Sequence, residues 1–470
     1  MKEQPPEHRA RRERLHQEYA STVQMLDASQ LAFIGEHREW TLDEVREVWA
    51  AGPIPGSRPA INHVYVHVPF CKSLCHFCNY QRLRVSRPET MRAWLDGVRA
   101  TLEVLAPGLS HHEFHTLFIG GGTPSVLPGA MLEQLLDALD GAIGFHPLAS
   151  RQLELDPATI SRDKLRLLVQ RGFQSFSMGI ETLDAEVNRA HGRGPQGAEL
   201  VAQRFDDFAA EGVEKVSCDF LLGLAGTTPE RILEEIEFVL ARHRPHGIDV
   251  YLLIPTPQYL ARHFGGSEER FRTHLDGFQA AAPDALARLA RRLGYRLRGG
   301  PHHGYALRRK LRAADLLRWD RLVRGWSPFS YAQLCAEQRK PLSLLGLGPS
   351  ARSLLFGRAQ LEYREPAGEE TRFTGRELDL RGEARSFLVY RLRDGDRVDR
   401  AEFRALFGAD VAEVFAGAVA AWSALGLASL SPRELELRAD DRLGRMATLL
   451  WLVPEADIQY EITRHQGARV

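Results

Sequence analysis

The sequence predicts an α/β protein built on a partial barrel of parallel strands, with a helical extension before it and a smaller α+β domain after it. Three observations lead there. Apolar runs suited to strands recur at 64–68, 116–119, 152–155, 174–180, 216–222 and 249–254. Helical patterns fill the gaps, for example Met91, Trp94, Leu95, Val98, Leu102 and Leu105, and strands separated by helices imply right-handed crossovers and a parallel sheet. Three of the five cysteines, Cys71, Cys75 and Cys78, follow directly on the first run. They lie on a loop at a strand's C-terminal end, where a parallel α/β barrel builds its site. Six such units make a barrel open at one side.

In chain order, residues 1–60 read as a helical extension and linker. Arg9, Arg11, Arg12 and Arg14 open it, and Leu15, Tyr19, Val23 and Leu26 then recur at three- and four-residue steps, one apolar face of a helix packed outside the main domain. The stretch AGPIPGSRPA at 51–60 is the linker. Residues 61–260 are the barrel. Residues 261–375 complete it and connect on the substrate side, with helical stretches at 271–293 and 307–323 and a glycine-containing run, LLGLGPSARSLLFG, at 344–357. Residues 376–470 form a winged-helix-like α+β domain: helices at 401–408 and 411–425, each stopped by a glycine (Gly408, Gly426), then a hairpin at 427–437 broken by Ser431-Pro432. Winged helices often bind DNA, but the second helix carries only Glu413, with Asp410 just before it. A basic recognition helix is missing, so this domain is expected to be a lid on the substrate side.

Composition bounds the function. With 470 residues, 44% hydrophobic and 26% charged, the chain has the balance of a soluble protein of two or three domains, or of one large domain with appendages. Lys plus Arg equals Asp plus Glu at 61 each, which calls for neither nucleic acid nor an acidic partner. No apolar run approaches the ~20 residues that span a bilayer, and no signal peptide is evident. A cytoplasmic protein in a reducing compartment, without a membrane partner, is expected.

Thiolates packed this closely can converge on one soft metal centre. A disulfide plus a spare thiol, or a zinc site completed by His67 or His76, are the alternatives; spacing favours an iron–sulfur cluster without settling it. The whole segment, VYVHVPFCKSLCHFCNY (64–80), resembles the CxxxCxxC signature of radical S-adenosylmethionine (SAM) enzymes. Its YxHxPFC lead-in resembles the branch of oxygen-independent coproporphyrinogen III oxidase and the haem chaperone. The resemblance implies a [4Fe-4S] cluster on Cys71, Cys75 and Cys78, with one iron left open for SAM. It extends to IGGGTPS (119–125), where Gly121, Gly122 and Thr123 match the turn that contacts SAM's amino group. Glu154 in LELDP matches the residue that holds the ribose or methionine part. Glu181 in SMGIET stands where the family often has Gln, exchanging a donor for an acceptor. Arg193 in AHGRG matches a partner of the SAM carboxylate, Asp219 in SCDFLLGL a group near the nucleoside, and Tyr65 and Phe77 aromatic positions near the adenine.

Other residues read more blandly. His67 reads as a satisfied core histidine in preference to a substrate-side proton donor, and Cys218 as a buried small hydrophobe. Cys335 is isolated, and His111, His112, His115, His302 and His303 fall in loops. Within the branch, the residues after Cys78 discriminate. The oxidase has Gly-Cys there, and this chain has Asn79-Tyr80, which is more similar to the class C radical SAM methylases and cyclopropanases. In that class two SAM molecules bind; a radical from one takes hydrogen from the methyl group of the other, and a methyl or methylene group passes to an sp² carbon of a small molecule or peptide heterocycle. The run at 344–353 resembles a stretch near the second SAM or the substrate. A tetrapyrrole enzyme, either a decarboxylase or a haem-ring opener, and a haem chaperone are the alternatives. A flavodoxin or ferredoxin is the implied electron donor.

Overall fold

The computed structural model describes residues 36–53, 61–85, 87–194, 196–213, 215–300, 304–309, 342–364, 372–394, 396–438 and 448–459, with Ala10 and Arg445 besides. Along these run β1 (Arg38–Trp40), β2 (Ile61–Val68), β3 (Phe70–Cys71), β4 (Leu83–Arg84), β5 (Phe114–Gly121), β6 (Phe145–Leu155), β7 (Phe173–Glu181), β8 (Lys215–Leu222) and β9 (Gly247–Leu252). There follow β10 (Tyr295–Gly300), β11 (Gly304–Arg309), β12 (Leu342–Leu347), β13 (Arg352–Leu355), β14 (Ala359–Arg364) and β15 (Arg372–Glu377), then β16 (Arg397–Asp399), β17 (Ala428–Leu430) and β18 (Glu434–Leu437). The large sheet has thirteen strands in the order β1-β15-β14-β13-β12-β2-β5-β6-β7-β8-β9-β11-β10. From β12 through β2 to β9 every neighbouring pair is parallel; the flanking pairs are antiparallel. This is the α/β architecture, with a central run of parallel strands, that the sequence predicts. All six apolar runs became the strands expected of them, and β12 adds a seventh parallel strand beside β2.

Register explains the two faces, because partners across a parallel ladder point the same way. One face carries Val64, Val66, Ile119, Leu153, Phe176, Val216, Cys218 and Val250, packed with helix residues such as Leu95, Val98, Leu135, Ile236 and Leu286 in one core. The helices begin on side-chain caps: Ser161, Asp184, Thr228, Thr256 and Ser267 each accept from a backbone N–H of the first turn. The other face is polar. Tyr65, Phe118, Gln152 and Ser175 form one row of partners, Glu154, Ser177 and Ser217 the next, and Gly179, Asp219 and Asp249 a third. A polar row inside a barrel is where a ligand is held.

At the β12 end that inner face is apolar and covered. Phe118, Leu342, Leu344, Leu354 and Phe356 share a second core with Phe387, Leu388, Phe403 and Trp422 of the C-terminal segment. That segment has helices Leu380–Asp394, Arg400–Phe407, Val411–Val414 and Ala416–Ala424, and a small sheet ordered β16-β18-β17. Two expectations need correction. The helix expected at 411–425 is two pieces, interrupted at Phe415 (φ −120, ψ 39). The helix expected at 307–323 begins as strand: residues up to Arg309 belong to β11, paired with β9 and β10, and 310–323 lie outside the described residues. The N-terminal helix, most of the linker, His302, His303 and Cys335 also lie outside them. No described helix is long and apolar enough to cross a membrane.

Candidate active site

The cysteine loop runs from β3 to β4 and is pinned at several points. Leu83 N–H donates to the Pro69 carbonyl (2.6 Å) and Val85 N–H to the Cys71 carbonyl (2.9 Å). Arg82 forks onto the carbonyls of Cys75 (2.9 Å) and Tyr80 (3.0 Å). All three thiols are free, Cys71 buried and Cys75 and Cys78 half-buried. Burial pushes each thiol up, so the thiolates need positive charge beside them, and Arg193 and Arg82 face the loop. The two histidines that a zinc cage would call on are engaged elsewhere. His67 Nε2 meets the Gln81 carbonyl at 2.9 Å and its Nδ1 the Tyr65 hydroxyl at 3.1 Å. His76 Nε2 accepts from Arg262 (2.6 Å) while Nδ1 faces His263 (3.3 Å). Among the described residues no three His, Cys, Asp or Glu side chains stand close enough together to hold a metal ion as they are. Three free thiols, with His67 and His76 engaged elsewhere, fit the donor chemistry of a cluster with an open iron better than that of structural zinc.

The glycine turn after β5 lies directly on this loop. Gly122 N–H donates to the Val68 carbonyl (2.8 Å) and Thr123 N–H to that of Phe70 (2.7 Å), and the Thr123 hydroxyl lies 3.6 Å from the Cys71 sulfur. A Cβ on Gly122 would stand 2.8 Å from the Phe70 carbonyl oxygen and 3.0 Å from that sulfur. Gly121 has φ +109 and donates to Glu154 Oε2 at 3.1 Å. Burial raises the Glu154 carboxyl to about 7, the Gly121 bond only partly opposing it.

Arg193 is the joint of the site. The turn after helix Ala185–Ala190 delivers it through Gly192 (φ +73), against which the loop's Leu74 carbonyl and His76 ring pack, and His76 N–H donates to the His191 carbonyl (2.8 Å). The guanidinium donates to the Gly179 carbonyl (2.6 Å), pairs with Glu181 (3.3 Å) and Asp156 (3.1 Å), and approaches the Cys75 sulfur (3.9 Å). Burial alone would lower its pKa, but Asp156, Glu181 and Cys75 outweigh it and keep the group protonated. Its Nε is buried with no partner among the described residues. Glu181 itself sits at φ +64, a conformation few side chains adopt, and burial pushes its carboxyl up against the pull of Arg193.

The structure thus joins Cys71 with Gly122 and Thr123, Gly121 with Glu154, and Cys75 with Arg193 and Glu181. Asp219 lies deeper, accepting from Ser177 (3.0 Å); burial, with Asp249, Glu181 and Glu154 behind it, holds its carboxyl well above the usual range. Tyr65 stacks on Phe118 with centroids 5.7 Å apart. Phe77 packs beside an apolar group of Val187, Leu221, Leu224 and Tyr259. Asp156 was missed by sequence reasoning; its one signal was a second carboxylate two residues after Glu154 at a strand end. Cys218 is fully buried in the core and His67 is buried with both nitrogens bonded, as expected. His112 is tied to the Trp49 carbonyl at 2.7 Å.

Fold and site together define a class. Residues 65–239, from β2 into the last helix before β9, match the model of the Radical SAM superfamily, a class whose cofactors are a [4Fe-4S] cluster and SAM. Within that class the chain is 31% identical over 182 residues to oxygen-independent coproporphyrinogen III oxidase of Paracoccus denitrificans, covering 38% of this chain and 40% of that protein. It is 26% identical over 212 residues to heme chaperone HemW of Bacillus subtilis, covering 45% and 54%. The chain thus spans about half, or less, of the length of these curated relatives. Among solved structures, coproporphyrinogen III oxidase (HemN) from Escherichia coli superposes with a TM-score of 0.67 at 20% identity, over 87% of this chain and 92% of that one.

Proposed function

We propose that this chain is a radical SAM enzyme acting on a tetrapyrrole. The observation that carries the SAM chemistry is the joint at Arg193, a protonated fork already oriented by Gly179, Glu181 and Asp156 beside the Cys75 sulfur. Cys71, Cys75 and Cys78 would hold a [4Fe-4S] cluster, which would supply one-electron chemistry for the reductive cleavage of SAM. This chain's residues do the positioning. Arg193 fixes the SAM carboxylate, the Gly121–Thr123 backbone approaches its amino group, Glu154 holds the ribose or methionine part, and Asp219 faces the nucleoside. The C-terminal segment covers the β12 end of the inner face and shields that side from water. The relatives supply the substrate class, since the coproporphyrinogen oxidases and haem chaperones are both named for tetrapyrroles.

A second reading is class C transfer of a methyl or methylene group from a second SAM to an sp² carbon of a small molecule or peptide heterocycle. It rests on Asn79-Tyr80 standing where the oxidase has its fourth cysteine, and neither the oxidase nor the haem chaperone named above points to it. An electron donor of flavodoxin or ferredoxin type fits either reading.

The test is anaerobic turnover of the reconstituted, reduced protein with methyl-deuterated SAM and coproporphyrinogen III or haem. Tetrapyrrole-dependent, unlabelled 5′-deoxyadenosine with an altered macrocycle is the expected result. Deuterium in 5′-deoxyadenosine, accompanied by S-adenosylhomocysteine, would replace this reading with the second. Haem retained without SAM cleavage would make the chain a carrier.

A further inference from the structure

Three histidines from distant parts of the chain meet beside the cysteine loop. His76 lies inside the loop itself, between Cys75 and Cys78, and His191 stands two residues before Arg193. His263 is carried by the helix Pro257–Phe264, which follows β9, starts on a Thr256 cap and ends at Gly265 (φ +62). On that helix Tyr259 and His263 are four residues apart and share one face. The His263 ring lies nearly parallel to that of His191, with centroids 4.4 Å apart and 11° between the planes. Its centroid is 4.6 Å from that of the Tyr259 ring.

Donor and acceptor chemistry fixes where each proton sits. A guanidinium can only donate, so His76 Nε2, 2.6 Å from Arg262 Nη1, is the bare nitrogen of its ring. His76 Nδ1 therefore carries the proton and donates to His263 Nε2 at 3.3 Å. His191 Nδ1 lies 2.8 Å from the Val187 carbonyl, which can only accept. Burial keeps this second ring neutral, so its Nε2 receives the Tyr259 hydroxyl (3.1 Å), whose oxygen accepts the Ala225 N–H (3.0 Å). One helix thus holds the cysteine loop through His263 and the turn before Arg193 through Tyr259. Loop and turn also meet directly. His76 N–H donates to the His191 carbonyl (2.8 Å), and a Cβ on Gly192 would stand 2.8 Å from the Leu74 carbonyl oxygen. Beside these contacts the Arg193 guanidinium comes to 3.9 Å from the Cys75 sulfur.

We propose that the helix Pro257–Phe264 is a clamp that holds the cysteine loop and the Arg193 turn as one unit, with His263 its positioning residue. The inference rests on the reading of Arg193 as the fork for the SAM carboxylate, and deepens it. In that reading SAM contacts both the cofactor on the loop and Arg193, and Cys75 and Arg193 are 118 residues apart in the chain. Their spacing is set by the contacts between the two segments, and a small change in it lowers affinity for SAM without removing a group from either. Without the His263 acceptor, His76 Nδ1–H is left unpaired and the loop loses its bond to the helix. The stack of His263 on His191 supports the geometry; the bond to His76 carries the clamp.

The experiment is anaerobic SAM binding to the reconstituted protein, read by equilibrium dialysis and by the change SAM makes in the electron paramagnetic resonance spectrum of the reduced cluster. His263→Phe keeps a ring to stack on His191 and removes the acceptor. It is expected to weaken SAM binding on the order of tenfold at the parent's iron content. His263→Gln restores an acceptor and is expected to bind SAM within about twofold of the parent. Unchanged SAM affinity in His263→Phe would overturn the clamp and leave the SAM reading of Arg193 standing. Equal weakening in both variants would overturn the role given to Nε2. A Phe variant short of iron would overturn it too, because His263 would then build the loop rather than place it. A parent that holds iron and binds no SAM would sink both the clamp and the reading beneath it.

Discussion

At the scale of single residues, the site is set by close approaches that only certain side chains permit. Gly122 has no room for a Cβ between the Phe70 carbonyl and the Cys71 sulfur, so Gly122→Ala must shift the glycine turn or the cysteine loop. A several-fold loss of iron after reconstitution, with far-UV circular dichroism unchanged, is the expected outcome; full iron loading would show that the loop yields easily. Glu154 makes a second prediction. Its carboxyl titrates near 7 in the folded chain because burial penalises the charge, against about 4.3 unfolded. Between those values the folded state keeps a proton that the unfolded state releases, so this group's contribution to stability falls as pH rises from about 4.5 to 7 and is level above that. Urea midpoints of the metal-free protein at pH 5 and pH 8 should therefore differ less in Glu154→Gln than in the parent. The cysteine motif and the glycine turn were legible in the sequence because their spacing is local. Asp156, the second carboxylate on Arg193, was not, because nothing in LELDP says which side chain the turn after 190 will meet.

At the scale of elements, strands buried on one face and polar on the other still read as apolar runs, which is why β2 and β5 to β9 were visible. β10 to β15 were not. Their pairings lie towards the ends of the sheet and are antiparallel, except that β12 pairs parallel with β2 across some 280 residues of chain. The 307–323 pattern looked helical because its spacing carries no information about the waiting edge of β9. In the C-terminal segment, Asp410 both caps Val411–Val414 and receives Arg400 (2.9 Å) and Arg404 (2.9 Å) while almost fully buried. Asp410→Ala leaves the half-buried Arg400 charge unpaired and removes the cap, a loss of about 3 kcal/mol measurable by thermal unfolding. A change below ~1 kcal/mol would mean that water or a neighbouring carbonyl takes over the guanidinium.

At the scale of the whole molecule, the C-terminal segment and the sheet are not separable. Phe118, Leu342, Leu344, Leu354 and Phe356 lie in its core and not in the core beneath the barrel helices. A chain ended after Glu377 would expose all five at once and is expected to aggregate or to elute as large oligomers on size-exclusion chromatography. A monomeric, soluble truncation would show that the shared core is dispensable. The cysteines, by contrast, lie on a loop outside the main core, so the Cys71, Cys75 and Cys78 triple Ala variant should lose iron while keeping its circular dichroism and its thermal midpoint within a few degrees.

By itself the sequence determined the alternation of strands and helices, the loop that carries the thiols and the glycine turn beside it, since each is written in spacings of a few residues that bond geometry converts directly into local structure. Only the tertiary structure decided that β12 pairs with β2 and that Asp156 and Glu181 share Arg193. Those contacts join segments tens to hundreds of residues apart. They exist because closing the sheet buries one common core, and no short-range pattern can specify which distant side chains that closure brings together.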